Sequence, residues 1–464
     1  MVVRGRWTLV VSLLLLQSFT LGAGLYVWTT GFSLDDAASQ AAPEPTPTRT
    51  PVPLITAEAV LASGSEGTAV DAQRLAARLK GPIADAALGG RVGAVVMDAA
   101  TGDVLYGNRP TTGLTPASTT KVVTAVAALT TLGPDERLAT RVVYGKAKNA
   151  IVLVGGGDPT LAGPQATRPG YPRPASLSML AIYTARALKA AGVTKVTLGY
   201  DDSLFSGPRT ADGWKPNYVP EGTVAPVTAL MHDSGRVNPR NRQPWPDPAR
   251  ATAAAFANLL RRHGITVTGG PREAKAGATA QEVARVESPP VYQLVERMLT
   301  DSDNDLAEAL ARHVALRQGR RGTFEDAAKA CLKVLRDLDA HEGVHIEDGS
   351  GLSIRNRITP KALAKLLALA ASPENPHLHT VISGLPVAGF TGTLDDRYDR
   401  KESEQGAGLV RAKTGTLNGV TTLAGVTRTA NGRLLTFAFM ADRVPAHDPA
   451  VAAIDHLATI VSTS

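Results

Sequence analysis

Ser118 and Lys121 stand three residues apart at the head of a largely apolar run over residues 122–132. Pro116-Ala117 leads into them and Gly133-Pro134 closes the run, so the pattern predicts a buried helix from about Ala117 to a glycine C-cap. Side chains at i and i+3 share one helix face, about 5–6 Å apart at Cβ. A serine hydroxyl is a weak nucleophile until a neighbouring base takes its proton. A lysine amine becomes that base when desolvation and nearby positive charge lower its pKa. Taken alone, the pair also reads as a capping serine beside a snorkelling lysine.

Two later segments change the balance. Ser302-Asp303-Asn304 and Lys413-Thr414-Gly415 follow in that order, and Ser-x-x-Lys, Ser-x-Asn and Lys-Thr-Gly each occur once in the chain. Acyl transfer at an amide needs a nucleophile, a base, a proton route to the leaving amine and stabilised oxyanion charge. These residues cover that set. Ser118 Oγ attacks and Lys121 accepts its proton, while Ser302 passes a proton to the departing amine. Asn304 hydrogen-bonds a substrate amide and the Lys121 region. Lys413 supplies positive charge to Ser302 and to a substrate carboxylate, with Thr414 and Thr416 adding hydroxyl donors. Gly415 keeps a strand edge bare for an extended peptide. The backbone N–H groups of Ser118 and Thr416 form the oxyanion hole. Singly, Ser302 and Asn304 also read as helix caps, and Lys413-Thr414-Gly415 as a turn.

The elements that must hold these groups follow from periodicity. Residues 92–97 and 104–106 predict a hairpin turning at Thr101-Gly102, and residues 141–144 and 150–154 predict short strands. Gly155-Gly156-Gly157 lacks a Gly-Lys-Ser/Thr ending and reads as a turn, not a phosphate loop. Residues 176–191 and 249–263 predict helices, each followed by a short strand, with a Pro/Gly-rich stretch between. Helices follow over 291–299, 305–314 and 324–338, and after Thr359-Pro360. The C-terminal part is β-rich over 408–414, 421–427 and 434–440, with a closing helix over 447–461. Strands at both ends with helices between predict an α/β fold of the α+β type, one antiparallel sheet flanked by helices.

Length predicts more than one domain, since 464 residues exceed what one hydrophobic core serves. The expected division is 1–6 cytoplasmic, 7–32 a transmembrane signal anchor and 33–69 a Pro-rich extracytoplasmic linker. A catalytic domain over 70–158 and 272–464 is then interrupted by an inserted α/β domain over 159–271. Arg4 and Arg6 precede an uncharged run from Trp7 to Phe32, long enough to span a bilayer with the N-terminus inside. The chain is therefore expected at the cell membrane, single-pass and facing outward, or secreted if that segment is cleaved. All candidate catalytic groups lie outside 159–271, so the chemistry is expected to survive its removal.

Hydrophobic residues make up 44% and charged ones 20%, as in ordinary globular proteins, and the net charge of +7 is spread along the chain. No basic stripe interleaved with aromatics supports nucleic-acid binding. Cys331, the one cysteine, rules out an intramolecular disulfide and reads as a buried core thiol. The scattered histidines frame no metal site, and no cofactor is implied.

The three motifs in this order form the signature of penicillin-binding proteins and serine β-lactamases. Pro116-Ala117-Ser118-Thr119-Thr120-Lys121, Asp158-Pro159-Thr160-Leu161 and Arg411-Ala412-Lys413-Thr414-Gly415-Thr416-Leu417 resemble the class C low-molecular-mass penicillin-binding proteins. Asp348-Gly349-Ser350-Gly351-Leu352, Leu385-Pro386-Val387-Ala388-Gly389 and Gly392-Thr393-Leu394 extend the likeness, which runs from about Val70 to the C-terminus. The resemblance implies a β-lactamase/transpeptidase-like fold with an inserted domain. It also implies D-alanyl-D-alanine carboxypeptidase or endopeptidase activity on peptidoglycan stem peptides, with acylation by β-lactam antibiotics. A serine β-lactamase shares the motifs, but a compact helical segment between the first two is expected there. A non-catalytic wall-binding module has no need of five intact polar groups.

Overall fold

The computed structural model describes residues 67–165, 171–238 and 242–464. The expected anchor over 7–32 and most of the linker over 33–69 lie outside the described residues. Among the described residues no helix is long and apolar enough to cross a membrane.

Helix α1 (Ala72–Lys80) is capped by Asp71, whose carboxylate accepts from Gln73 N and Arg74 N. Strands β1 (Arg91–Asp98) and β2 (Val104–Asn108) form the expected hairpin. A short 3-10 turn, Ala117–Thr119, runs directly into α2 (Thr120–Leu132). Next come β3 (Ala139–Tyr144), β4 (Ala150–Val154), α3 (Leu177–Ala190), β5 (Lys195–Asp201), α4 (Pro248–Arg262), β6 (Thr266–Val267), β7 (Arg272–Glu273) and β8 (Glu282–Glu287). The chain continues through α5 (Val291–Thr300), α6 (Asn304–Arg317) and α7 (Phe324–Asp337), then the paired β9 (Val344–His345) and β10 (Arg357–Ile358), α8 (Pro360–Ala371) and α9 (His379–Ser383). It ends with β11 (Val410–Leu417), β12 (Val420–Arg428), β13 (Leu434–Asp442) and α10 (His447–Ser462).

The first sheet is antiparallel, in the order β11-β12-β13-β1-β2, so the two ends of the chain meet at its centre. Alternate residues bury opposite faces, as the pleat requires. Val95, Met97, Ala424, Val426, Ala438 and Met440 join α2, α5, α6, α7 and α8 in one core. Val92, Ala94, Val96, Leu423, Phe437 and Phe439 join α1 and α10 in another. Helix α2 lies deep in the first of these cores, burying Thr120 through Leu129 and Leu132. A helix apolar on nearly all sides is stable only in such a position. Cys331 is fully buried there, and burial pushes its thiol up to about 12.

The second sheet runs β6-β5-β4-β3-β8, with β7 also on β5, and packs α3 and α4 on one face. Its strands span 139–287 and extend past both ends of the 159–271 segment read from sequence. Strands β3, β4 and β8, expected with the first domain, pair here instead. The sequence marks them as strands, but their partners are set by long-range pairing. The Pro/Gly-rich stretch after β5 leaves this sheet. Its Phe205, Ala211 and Val227 pack with Ala309 and Phe324, and its Tyr218 and Val224 pack with Leu352.

Candidate active site

The Ser118 turn starts with a strained backbone: Ala117 has φ +49°. Behind it, Gly415 on edge strand β11 lets the two segments touch. A Cβ at Gly415 would lie 2.1 Å from Thr422 Oγ1 and 2.7 Å from the Pro116 carbonyl oxygen. The bare position therefore makes room for the nucleophile's own turn. Thr422 Oγ1 ties the seam by donating to the Pro116 carbonyl at 2.9 Å.

Lys121, one residue into α2, is fully buried and its amine makes three contacts. Nζ lies 2.9 Å from Ser118 Oγ, 2.7 Å from Asn304 Oδ1 and 2.8 Å from the Ser350 carbonyl oxygen. Burial lowers its pKa to about 8, against the opposing pull of Asp348, Glu308, Asp303 and Asp305.

Ser302 sits between α5 and α6 with φ +57°, in the left-handed region. The cap of α6 is Asp303, which accepts from Leu306 N at 2.9 Å. Asp303 thus takes the capping role and leaves Ser302 and Asn304 for other contacts. Asn304 Nδ2 donates to the Thr223 carbonyl at 2.9 Å while its Oδ1 faces Lys121.

Lys413 lies within β11, not in a turn, and is fully buried. Its Nζ donates to the Thr414 carbonyl at 2.9 Å. Burial first, then the positive charges of Lys121 and Arg397, hold its pKa well below the usual lysine range. Thr414 Oγ1 lies 2.7 Å from Thr393 Oγ1. Ser118, Ser302, Thr393, Thr414 and Thr416 line one open cleft of about 580 Å³. Residues of all three motifs, far apart in sequence, thus line the same cleft as Ser118.

The sequence matches the D-Ala-D-Ala carboxypeptidase 3 (S13) family over residues 75–246 and 245–461. The chain belongs to this family. It is 37% identical over 364 residues to the carboxypeptidase Rv3627c of Mycobacterium tuberculosis, covering 76% of each chain. It is 36% identical over 397 residues to the carboxypeptidase DacB of Mycolicibacterium smegmatis, covering 83% of each. Its fold matches penicillin binding protein 4 (dacB) from Haemophilus influenzae with a TM-score of 0.69 at 23% identity, over 85% of this chain and 100% of that one. The protein is a serine D-Ala-D-Ala carboxypeptidase with a β-lactamase/transpeptidase-like fold.

Several groups around the carboxypeptidase's site carry no motif signal. The Asp348-Gly349-Ser350-Gly351 turn reads from sequence only as family-like. In the structure its Ser350 carbonyl holds Lys121. Gly351, with φ +89°, has no room for a side chain, since a Cβ would lie 1.9 Å from the Ala117 carbonyl oxygen. Asp348 organises this turn by accepting from Gly351 N, Ser353 N and Asn356 Nδ2 at 3.0, 2.7 and 2.7 Å. Thr393 has only its place in Gly392-Thr393-Leu394 to signal it.

The segment after β5 also reaches the site. Besides the Thr223 carbonyl on Asn304, Trp214 Nε1 donates to Asp348 Oδ2 at 2.7 Å. Asp305, next to Asn304, accepts from Ala225 N at 2.7 Å and Arg236 Nη2 at 2.8 Å. Burial pushes the Asp305 carboxyl up to about 7 despite Arg236. These contacts bear on the expectation that small β-lactams still acylate the enzyme once 159–271 is removed. Deleting it would strip hydrogen-bond partners from Asn304, Asp305 and Asp348 together.

Proposed function

We propose that this carboxypeptidase cleaves peptidoglycan stem peptides ending in D-Ala-D-Ala through an ester on Ser118. The observation that carries the reading is Lys121 Nζ, 2.9 Å from Ser118 Oγ with its pKa lowered to about 8 by burial. The neutral amine takes the Ser118 proton as Oγ bonds to the scissile carbonyl carbon. The N–H groups of Ser118 and Thr416 take the oxyanion charge. Collapse breaks the C–N bond, and Ser302 relays a proton to the leaving amine. Water then attacks the ester to release the shortened peptide and restore Ser118. Lys413, Thr414 and Thr416 hold the terminal carboxylate, and Asn304 the amide of the preceding residue. A β-lactam forms the same ester by opening its ring, and its amine stays tethered. Cross-linked peptides whose leaving amine belongs to a second stem enter by the same chemistry, which adds endopeptidase activity.

A fluorescent penicillin tests this. A stable adduct on Ser118, together with D-alanine release from a pentapeptide, supports the peptidase. Rapid hydrolysis without an adduct indicates a β-lactamase, and no reaction indicates a wall-binding module. Residues 7–32 are proposed to anchor the enzyme N-in at the cell membrane with its catalytic part outside, on the strength of the Arg4/Arg6 flank and the apolar length. Protease added to intact spheroplasts should digest the catalytic part. Full protection would reverse the orientation, and a mature N-terminus after Ala38 would show cleavage.

A further inference from the structure

Helix α6 presents Glu308 one turn after Asn304, with its side chain fully buried. Its carboxyl meets only donors. Gly349 N and Ser350 N donate to Oε1 at 3.1 and 2.9 Å, and Arg312 Nη1 lies 3.2 Å from Oε2. A protonated acid would need an acceptor for its hydrogen, and none of these contacts offers one, so the donors favour the carboxylate against burial and the nearby Asp348, which push its pKa up. Arg312 is itself buried, with its guanidinium carbon 3.8 Å from the centre of the Phe324 ring.

The far side of the same turn faces the reaction. The Ser350 carbonyl accepts from Lys121 Nζ at 2.8 Å, and the Gly349 carbonyl accepts from Thr124 Oγ1 at 2.7 Å. Helix α2 therefore holds the carbonyls of the turn and helix α6 its N–H groups. Glu308 brings negative charge to the N–H side of the turn, and Lys121, when protonated, positive charge to its carbonyl side.

We propose that Glu308 is a positioning residue for acyl transfer, clamping the Gly349-Ser350 turn so that the Ser350 carbonyl aims Lys121 Nζ at Ser118 Oγ. Its charge also helps set the pH at which the amine serves as base. This rests on the reading of Lys121 as that base. Other charges face the amine too: Asp303 and Asp305 at the head of α6 and Asp348 in the turn favour its protonated form, and Lys413 on β11 opposes it. Asp348 also grips peptide groups of the turn, at Gly351 N and Ser353 N, but Glu308 binds the N–H of Ser350 itself, the residue whose carbonyl meets Lys121.

The test measures the acylation rate of the full chain by fluorescent penicillin against pH, for wild type, Glu308→Asp and Glu308→Gln/Arg312→Met. The double substitution removes the guanidinium, which would otherwise be left buried without its partner. Aspartate keeps the charge but withdraws the carboxylate by one methylene. A misplacement of about 1 Å costs roughly 100-fold in rate, with the acid limb of the profile unmoved. The double variant should lose a similar factor and also shift its acid limb to lower pH, because a charge favouring the protonated amine is gone. Unchanged acylation by Glu308→Asp overturns the positioning role. An unmoved limb in a folded double variant overturns the role of the charge, and if that variant does not fold, the Glu308→Asp rate decides. Failure of the base reading looks different: Lys121→Ala would then acylate as fast as wild type.

Discussion

The acylation rate should follow the ionisation of Lys121. The perturbation is pH alone. Moving this amine from its ordinary 10.5 to about 8 corresponds to about 3 kcal/mol, and full burial leaves solvent little scope to screen it. With a pKa of about 8, roughly a tenth of the amine is neutral at pH 7 and roughly a hundredth at pH 6. The second-order rate constant for penicillin should therefore rise about tenfold from pH 6 to 7 and level off above 8. Rapid-quench labelling of Ser118 measures it, with circular dichroism confirming the fold at each pH. Asp305, pushed up to about 7, titrates in the same window. Asp305→Asn removes a charge that favours the protonated amine, so if Lys121 is responsible the profile should keep its shape with a midpoint somewhat below 8. A flat profile between pH 6 and 8, or a midpoint near 10, would refute the assignment. The same shift has a stability sign. Between pH 8 and 10.5 the unfolded chain holds a proton that the folded chain has released, so this group's contribution to stability rises with pH through that window. Its penalty is fully present below pH 8.

Lys413→Ala should cost free-acid peptides about 2–5 kcal/mol, roughly 30- to several-thousand-fold in kcat/KM, and amidated peptides much less. Equal losses would leave Lys413 as an electrostatic partner of Ser302 alone. Gly415→Ala drives a Cβ to 2.1 Å from Thr422 Oγ1, which should destabilise the fold by about 1–3 kcal/mol and displace the Ser118 turn. Near-native penicillin labelling in that variant would show that the seam can yield. Trp214→Phe removes the 2.7 Å bond to Asp348, a charge-assisted contact worth about 1.5–3 kcal/mol. A Tm equal to wild type, with acylation undiminished, would separate the segment after β5 from the site.

The nucleophile, its base and the polar groups of the second and third motifs are legible in the sequence for a local reason. Ser118 and Lys121 meet because i and i+3 share a helical face, and Asn304 and Lys413 lie in patterns that periodicity assigns to a helix start and a strand. The hairpin over β1 and β2, the apolar α2 and the C-terminal strands are legible likewise, since each is written in its own period. Tertiary structure decided the rest. Strands β3, β4 and β8 look like any half-buried strand until pairing assigns them to the second sheet. That Gly415 also makes room for the Pro116 carbonyl is visible only in the packed structure. The Ser350 carbonyl, Glu308 and the Thr223 carbonyl have no signature, because a backbone oxygen is present at every residue and a buried acid resembles a surface one in sequence. What makes them part of the site is where α6, the Asp348 turn and the segment after β5 are packed, and packing is set by contacts hundreds of residues apart: Lys121 and Ser350, for one, are separated by 229.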